Sequence, residues 1–482
     1  MSEIQKAVVG IMDPNSFSFR ASIEGLLNHI TQNIQWEGKT YQVESRRIMS
    51  RPYNVLGAST SCNVILNRGA HWNAHHNSFF HLVMPHSYMV NDMVSFKSID
   101  KNTSYGHMFE LGMHIPPTWA LPQADYSELL ESDKLQLDLI FPDYEMFDLA
   151  AIGEEVGYPS YMKPQNGGGW VDVMKVNNPQ ELHEAYHKIK DKPVNLQKAV
   201  DYKEFVRIVG VGPQMYPMHY NAASEFSHDR YLRNEHQAVE FGFIPPEQHD
   251  EVCKITKIIN AFYNWDHNSC EILIDHDSVA HPIDFANAYP DSNVTSLHFY
   301  FPELVKGMVR WLLFVAVTGH KKPLFAQCWE EMHAVMDKAN AEGWSYTQKI
   351  DAYAAIADKM FDTPNFNKFV AESLPDFEKE AHEYFASEEF ESILDESVER
   401  YFKFEHEWPK KKMHYKGIHY FWLHCDAARL GLNGDDEASE VAASEEVAQE
   451  VAQEVAQEVA QPVEAHSGGG SYNKGGKKGK KR

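Results

Sequence analysis

Residues 268–291 read NSCEILIDHDSVAHPIDFANAYPD and predict a β-hairpin. The segments 271–275 and 279–285 are rich in aliphatic and β-branched residues, and the Asp-Ser pair between them is typical of a tight turn. A turn centred on that pair places Glu271 directly opposite Asp284. The hairpin is therefore predicted to carry two carboxylates that face each other across the ladder.

The facing carboxylates predict a cation-binding site. Like charges opposite each other in an antiparallel pair are destabilising unless a cation lies between them. Magnesium binds a few carboxylate oxygens together with water and substrate phosphates, so Glu271 and Asp284 are candidate ligands, and Asn287 adds a neutral oxygen. The alternative is a hairpin whose acids point to water. The same register places Asp275 opposite Ala280.

Length and composition indicate a globular protein of two or three domains. The chain has 482 residues, of which 43% are hydrophobic. Its five cysteines include no C-x-x-C pair, which favours a reducing compartment over a disulfide framework or a zinc site. We find no signal-peptide pattern and no apolar run near the roughly 20 residues of a membrane span, so we expect a cytoplasmic protein. A net charge of -25 disfavours binding of the core to nucleic acid or to anionic membranes.

The first 115 residues predict a small α/β domain. Strand-like segments at 7–12, 40–46 and 63–67 alternate with a helical period at 18–34.

A histidine-rich segment, HWNAHHNSFFH, lies in this domain. It contains His71, His75, His76 and His81, and the first two are one helical turn apart, a spacing that metal ligands use. No acidic partner follows as in a zincin motif, and aromatic residues interleave the histidines. The pattern favours a structural or substrate-contact role over a metal site.

A glycine-rich loop predicts contact with phosphate. Lys163 lies in a predicted strand and precedes the loop at 165–169, which contains three consecutive glycines. Glycines let backbone N–H groups approach a phosphate, and a strand lysine beside them supplies a point charge.

The remainder of the chain is predicted to be helical and then repetitive. Between residues 297 and 430, aromatic residues recur at helical spacings, which indicates a helical core rather than a stacking surface. The Glu-Val-Ala-Gln repeat at 446–461 advances about 400° per unit on a helix and makes no straight heptad seam. The basic end at 477–482 could contact acidic partners or RNA, but a solubilising low-complexity tail is the simpler interpretation.

In order and spacing, these signals resemble the ATP-grasp superfamily over roughly residues 60–300. The positions that carry the resemblance are Asp100-Lys101, Lys163, Gly167–Gly169, Leu196–Val200, Glu204, Arg207, Glu271, Asp284 and Asn287. The resemblance implies an α/β domain followed by two α+β lobes that clamp ATP. We therefore expect a mixed α+β and α/β fold, with four regions at 1–115 (α/β pre-domain), 116–296 (ATP-grasp lobes), 297–434 (helical region) and 435–482 (low-complexity tail).

The resemblance also implies how the phosphates of ATP are bound. Lys101 and Lys163 look like the two lysines that contact them, and Gly167, Gly168 and Gly169 look like the loop that closes over them. Arg207 resembles a basic residue placed near the transferred phosphate.

For the nucleoside, Gln197 and Val200 match the segment that reads adenine, the latter through its backbone. Glu204 matches the acid that usually binds the ribose hydroxyls. Many members carry glutamate where this chain has Gln197, which keeps an acceptor for the adenine amino group but removes a charge.

Glu271, Asp284 and Asn287 resemble the metal-binding set, which implies magnesium, as two ions, with manganese as a substitute. The asparagine follows the second acid by three residues, whereas two is the more usual spacing. In a regular strand, a residue three positions after another points to the opposite face, so Asn287 joins the acids only if a bulge or the strand end intervenes.

The implied activity is that of an ATP-dependent carboxylate–amine ligase, in which an acylphosphate is attacked by an amine or a thiol. Small-molecule carboxylates and amines are the expected partners, and a homo-oligomer stays open. Candidate substrate contacts are Thr295, Ser296 and Arg230, which can bind a carboxylate in a bidentate manner or form a surface salt bridge. The alternatives are a kinase-like or carboxylase-like enzyme with the same nucleotide site, and an ATP-binding assembly protein without turnover.

Overall fold

The computed structural model describes residues 4–95, 100–124, 147–166, 171–224, 226–231, 243–323 and 325–432. Met1–Leu430 form one compact unit, and Gly431–Arg482 form a second unit. The predicted glycine loop at 167–169 and the predicted tail at 435–482 lie outside the described residues. The predicted boundaries near 115, 296 and 434 stay predictions.

The N-terminal part of the chain contains a five-stranded sheet in the order β2-β3-β1-β4-β5. Neighbouring strands are parallel except for the antiparallel β2–β3 pair. The elements are β1 (Ile4–Met12), α1 (Phe17–His29), β2 (Asn33–Trp36), β3 (Lys39–Arg47), β4 (Val64–Asn67), α2 (Ala74–Val83), β5 (Tyr88–Val90) and α3 (Lys101–Glu110). The predicted α/β fold of this part is confirmed.

The helix predicted over 18–34 is too long. It ends at His29, and β2 begins four residues later, with Ile34 and Trp36 buried and Asn33 and Gln35 exposed. The alternation of buried and exposed residues in β2 covers only four residues, which is too short to be distinguished in the sequence from the preceding helical period. Pairing with β3 determines that these residues form a strand.

The first lobe contains a four-stranded antiparallel sheet in the order β6-β9-β7-β8. Its elements are β6 (Thr118–Leu121), α4 (Leu149–Val156), β7 (Ser160–Pro164), β8 (Met174–Val176), α5 (Pro179–Ile189) and β9 (Val194–Lys198). Met162 and Leu196 are buried in the core that the helices cover. Because side chains alternate along a strand, Tyr161, Lys163 and Gln197 face the other side of the sheet, where they line a cavity.

The second lobe contains another four-stranded antiparallel sheet, in the order β11-β10-β12-β13. Its elements are β10 (Tyr202–Val211), β11 (Gln214–His219), α6 (Pro246–Phe262), β12 (His267–Asp275), β13 (Ala280–Asn287) and α7 (Val294–Leu297). Val206 and Ile272 are fully buried in the main hydrophobic core. Their neighbours Arg207 and Glu271 point to the opposite face, which lines the same cavity as the first lobe.

The region after α7 is helical, as predicted, and its aromatic residues form a core. Its helices are α8 (Phe301–Thr318), α9 (Phe325–Glu342), α10 (Tyr346–Phe361), α11 (Thr363–Ser373), α12 (Phe377–Phe385), α13 (Glu388–Tyr401) and α14 (Trp408–Leu430). Trp311, Tyr353, Phe369 and Tyr384 are all 0% exposed, so these side chains form no stacking surface. Among the described helices, none has the length and apolarity needed to cross a membrane.

A buried ion network joins three of these helices. Lys306 of α8 is fully buried, and its Nζ lies 2.7 Å from Glu303, 3.1 Å from Glu378 and 3.4 Å from Asp426. Arg310 also pairs with Glu378. Because the acids come from α8, α12 and α14, the network fixes the relative position of the helices that carry them.

Candidate active site

Three neighbouring strands place Arg207, Glu271 and Asp284 side by side. Arg207 of β10 is directly opposite Glu271 of β12, which is directly opposite Asp284 of β13. The predicted pairing of the two acids is therefore confirmed. Arg207 Nη1 lies 3.5 Å from Glu271 Oε1, so this acid has a cation beside it on one side and a carboxylate on the other.

The prediction that Asp275 lies opposite Ala280 is wrong. The register shifts by one residue between Glu271 and Ile272, so that Ile274 pairs with Ala280. Asp275 instead accepts hydrogen bonds from the backbone N–H groups of the turn, including that of Val279 at 2.8 Å. From Ile272 to Ile274, each residue of β12 therefore pairs with the β13 residue one position earlier than the turn residues alone predict.

A second register shift decides the position of Asn287. It pairs with Ser269, which lies two residues before Glu271, so the bulge that the sequence required is present. Both ends of the Asn287 amide are satisfied when its oxygen faces Ser269 Oγ at 2.9 Å and Arg207 Nη2 at 3.0 Å. Asn287 thus lies on the face of the two acids, where it holds Arg207.

Two lysines reach β13 from other elements. Lys101 is the first residue of α3, and its Nζ lies 3.0 Å from Asp284 Oδ2. Lys163 Nζ donates to Gln197 Oε1 at 2.7 Å and to the Ile283 carbonyl at 3.3 Å. Three cations therefore surround the two acids.

Burial shifts the pKa of two of these groups. It lowers the pKa of Lys163 to about 8, because loss of hydration and the charge of Lys101 outweigh the attraction of Asp284. It raises the pKa of Glu271, because loss of hydration and the facing Asp284 carboxylate outweigh the attraction of Arg207. Both shifts indicate that the cluster would be stabilised by ligands that bring compensating charge.

A cavity of about 1070 Å³ lies between the two sheets and contains most of the predicted site residues. Those that line it are Lys101, Lys163, Gln197, Val200, Arg207, Arg230, Glu271, Asp284 and Asn287. Pockets of several hundred Å³ or more with a few convergent polar groups are typical of small-molecule sites.

Of the predicted site residues that the structure describes, three do not line this cavity. Glu204 lies beyond a β-bulge in β10, and its carboxylate is 3.6 Å from His219 Nε2. Thr295 and Ser296 are buried in α7 and are each 3% exposed. Their predicted contacts with ribose and substrate stay predictions without support from the cavity.

The cavity also contains residues that the sequence did not single out. They are Tyr161, Lys175, Lys198, Asp201, Tyr220, Tyr231, Ser269, Tyr289 and Asp291, among others. Ser269 could have been found, because it lies two residues before Glu271 on the same strand. Tyr289 and Asp291 lie in a loop, where no period indicates the direction of a side chain.

The two carboxylates fit a magnesium ion whose remaining ligands would be water and phosphate oxygens. No group of three or more His, Cys, Asp or Glu side chains in the described ranges is arranged to hold a metal alone. Magnesium is usually held by one or two carboxylates, water and substrate phosphates, and Glu271 and Asp284 provide that number. The role of Asn287 as a third ligand stays a prediction.

The histidine-rich segment follows β4 and continues into α2, and its four histidines are not among the residues that line the cavity. His75 Nε2 lies 2.8 Å from the Arg51 carbonyl, and His71 and His76 are buried. A role in substrate contact stays a prediction.

An α/β domain followed by two lobes, each with a four-stranded antiparallel sheet, encloses one charged cavity. This is the arrangement that the sequence resemblance implied.

Three solved structures are similar to this chain at low sequence identity. A RimK domain ATP-grasp protein from Sphaerobacter thermophilus has 14% identity and a TM-score of 0.42, over 64% of this chain and 100% of that chain. The VanG D-Ala:D-Ser ligase from Enterococcus faecalis has 12% identity and a TM-score of 0.41, over 65% and 100%. A D-alanine–D-alanine ligase from Bacillus anthracis, complexed with ATP, has 13% identity and a TM-score of 0.40, over 75% and 99%.

No family model and no curated protein matches the sequence. The functional inferences below therefore depend on the residues of this chain.

Proposed function

We propose that the chain is an ATP- and Mg²⁺-dependent ligase that activates a carboxylate as an acylphosphate and joins it to an amine or a thiol. The supporting observation is the convergence of Lys101, Lys163 and Arg207 on Glu271 and Asp284 in one cavity. Phosphoryl transfer requires positioning and neutralisation of negative charge more than it requires a covalent catalyst.

In this proposal the first lobe binds the nucleoside. Gln197 offers an acceptor to the adenine amino group, and Val200 contributes its backbone. Asp201 lines the cavity and is a candidate for the ribose hydroxyls, as is Glu204. The glycines at 167–169 would cover the phosphates.

Glu271 and Asp284 would hold magnesium or manganese, with Asn287 beside them. A bound ion, or a pair of ions, neutralises and orients the phosphate oxygens. Lys101 and Arg207 already hold the two acids in place, so these carboxylates are positioned before any ligand arrives.

The proposed reaction has two steps. A carboxylate oxygen of the substrate attacks the γ-phosphorus of ATP, the bond to the bridging oxygen breaks, and ADP leaves. The nucleophile then attacks the acyl carbon, inorganic phosphate leaves, and the nucleophile loses a proton. Lys163 and Arg207 stabilise the charge that spreads over the transferred phosphoryl group.

A substrate screen tests the proposal. Full-length protein, ATP and MgCl₂ are incubated with pairs of carboxylic acids and amines, and ADP and product mass are measured. We expect ADP to form only when both partners are present, with a product mass equal to their sum less one water. ADP formed with a single acceptor would indicate a kinase-like enzyme instead, and no ADP with any pair would contradict the proposal.

A further inference from the structure

One wall of the cavity carries charges that the nucleotide and the metal do not account for. Its members are Tyr220, Arg230, Tyr231 and Asp291, which all line the cavity. Arg230 donates to Tyr220, the ring centroids of Tyr220 and Tyr231 are 5.2 Å apart, and Asp291 and Arg207 both lie close enough to Tyr231 to act on it electrostatically. The centre of the Arg207 guanidinium lies 5.6 Å from the centre of the Tyr220 ring. Because Arg207 also contacts Glu271, this wall is next to the phosphate-binding cluster.

Among the residues that the structure describes, Arg230 has no acidic partner. Its Nη1 donates to Tyr220 Oη at 3.2 Å, its buried Nε has no hydrogen-bond partner, and no carboxylate in the described part of the chain lies within 4.0 Å. A partly buried guanidinium loses hydration, which is best replaced by a bidentate interaction with an anion. The free donors of Arg230 therefore favour a ligand carboxylate.

Asp291 has the opposite character. Its Oδ1 accepts hydrogen bonds from the backbone N–H and from Nδ2 of Asn293, both at 3.0 Å. Over the described ranges no basic side chain lies within 4.0 Å of it. A carboxylate that lines a cavity without a basic side chain beside it favours a ligand that carries a cationic group.

The N-terminal domain holds the loop that carries Asp291. Arg68 is 2% exposed, and its Nε lies 2.8 Å from Asp13 Oδ2. Its Nη2 donates to the Pro290 carbonyl at 2.9 Å, and its guanidinium stacks on Tyr289 with a centroid distance of 4.2 Å. A loop fixed by a buried ion pair presents Asp291 without a cost of ordering when a ligand binds.

We propose that this wall binds a free α-amino acid as a co-substrate of the ligase, with its carboxylate on Arg230 and its ammonium group on Asp291. The proposal rests on the proposed function for the role of the amino acid as co-substrate. It adds that one partner must carry both charges, so a simple amine or a simple carboxylic acid would bind weakly.

The test compares amino acids with analogues that lack one charge. The twenty common amino acids are titrated calorimetrically into full-length protein with MgCl₂ and a non-hydrolysable ATP analogue. For each that binds, the decarboxylated amine and the deaminated acid are titrated next; for alanine these are ethylamine and propionate. We expect both analogues to bind about 100-fold more weakly than the amino acid.

Two variants distinguish recognition from a structural role. Arg230→Gln should weaken binding of the amino acid about 100-fold but leave binding of the decarboxylated amine unchanged. Asp291→Asn should weaken binding of the amino acid about 100-fold but leave binding of the deaminated acid unchanged. Arg51→Gln and Asp277→Asn, both at exposed positions, are the matched controls and should bind as the wild type does. A variant that weakens all three ligands equally would overturn the assignment of that residue, and no amino-acid binding would overturn the proposal.

The outcomes also separate the two proposals. ADP release with a carboxylic acid and a simple amine, together with absent amino-acid binding, would keep the ligase and reject the amino-acid wall. Amino-acid binding with the two selective losses, together with absent ADP release for every pair, would keep the wall and reject the ligase.

Discussion

Each acid of the candidate active site is held by one cation from another element. Lys101 contacts Asp284 at 3.0 Å, and Arg207 contacts Glu271 at 3.5 Å. The facing carboxylates are therefore each held beside a cation in the absence of a metal. A metal–nucleotide complex would have to share these acids with the two cations.

We expect Asp284→Asn to lower the rate of ADP release at least about 100-fold, because it removes one of two metal-binding carboxylates. The free energy of unfolding should change by only about 1 kcal/mol, since losing the contact with Lys101 is offset by the relief of repulsion from Glu271. Urea unfolding and steady-state kinetics measure the two effects. Asp277→Asn, an exposed position in the same hairpin, should alter neither, and equal activity of both variants would reject the metal role.

The lowered pKa of Lys163 predicts a pH dependence. With a pKa of about 8, the lysine is charged at pH 7 and mostly neutral at pH 9. We expect kcat/KM for ATP to fall about tenfold per pH unit above pH 8, because a neutral amine does not stabilise phosphate charge. ADP release between pH 6.5 and 9.5 measures this.

The control for that profile is Lys163→Arg, whose guanidinium keeps its charge throughout this range. Its profile should stay flat above pH 8 even if its activity at pH 7 is lower. The same alkaline decline in both proteins would assign the titration to another group.

The β12–β13 ladder shows which features of a hairpin can be predicted from the sequence and which cannot. The alternation of side chains and a turn signal predict that Glu271 faces Asp284, and that pairing needs only the period of a strand. The two register shifts beside it were not predictable, because a bulge depends on packing against β10 and on the hydrogen bonds of Ser269. Those shifts move Asp275 out of its predicted pair and bring Asn287 to the site.

The site residues in loops show the same limit. Asp291 has no strand or helix period, and its position depends on contacts with Arg68 and Asn293 from distant and nearby parts of the chain. Lys101 and Lys163 were identified by resemblance, but their convergence on β13 results from the packing of α3 against that strand and from a hydrogen bond of the Lys163 side chain to the Ile283 carbonyl.

The helices that carry the buried ion network give a stability prediction. Burial alone would raise the pKa of Glu378, but Lys306 and Arg310 lower it to about 2. Because the folded pKa lies below the ordinary value of 4.5, the carboxylate stabilises the fold above that pH, and the contribution is lost as the pH falls towards 2.

We therefore expect Glu378→Gln to lower the free energy of unfolding by about 2–3 kcal/mol at pH 7. The difference from the wild type should shrink between pH 4.5 and pH 2. Urea unfolding across this range tests both statements. Glu383→Gln, at an exposed position of the same helix, is the control, and a difference that does not depend on pH would contradict the assigned cause.

At the scale of the whole molecule, the candidate active site is contained within Met1–Leu430. The α/β domain, the two lobes and the helical region follow from hydrophobic periods in the sequence, because long periodic segments determine element type. How these parts enclose a cavity was implied only by resemblance to a known fold. Composition and spacing do not specify the contacts between lobes.

The repetitive tail is predicted to be dispensable for the chemistry. We expect a chain that lacks residues 436–482 to release ADP at the wild-type rate, because every residue of the proposed site precedes them. The melting temperature of the remaining chain should also be unchanged. Loss of activity at an unchanged melting temperature would show that the tail contributes to the site or to substrate capture.

The row formed by Arg207, Glu271 and Asp284 has a consequence for biosynthesis. Arg207 precedes the hairpin that carries Glu271 and Asp284 by 64 residues (271 − 207 = 64), and the row is complete only when β12 pairs with both β10 and β13. A nascent chain that has not yet released β13 from the ribosome contains both lysines but lacks Asp284. If the proposed ligase activity is correct, incomplete or prematurely terminated products would be unable to consume ATP, because the row forms only when the sheet of the second lobe is complete.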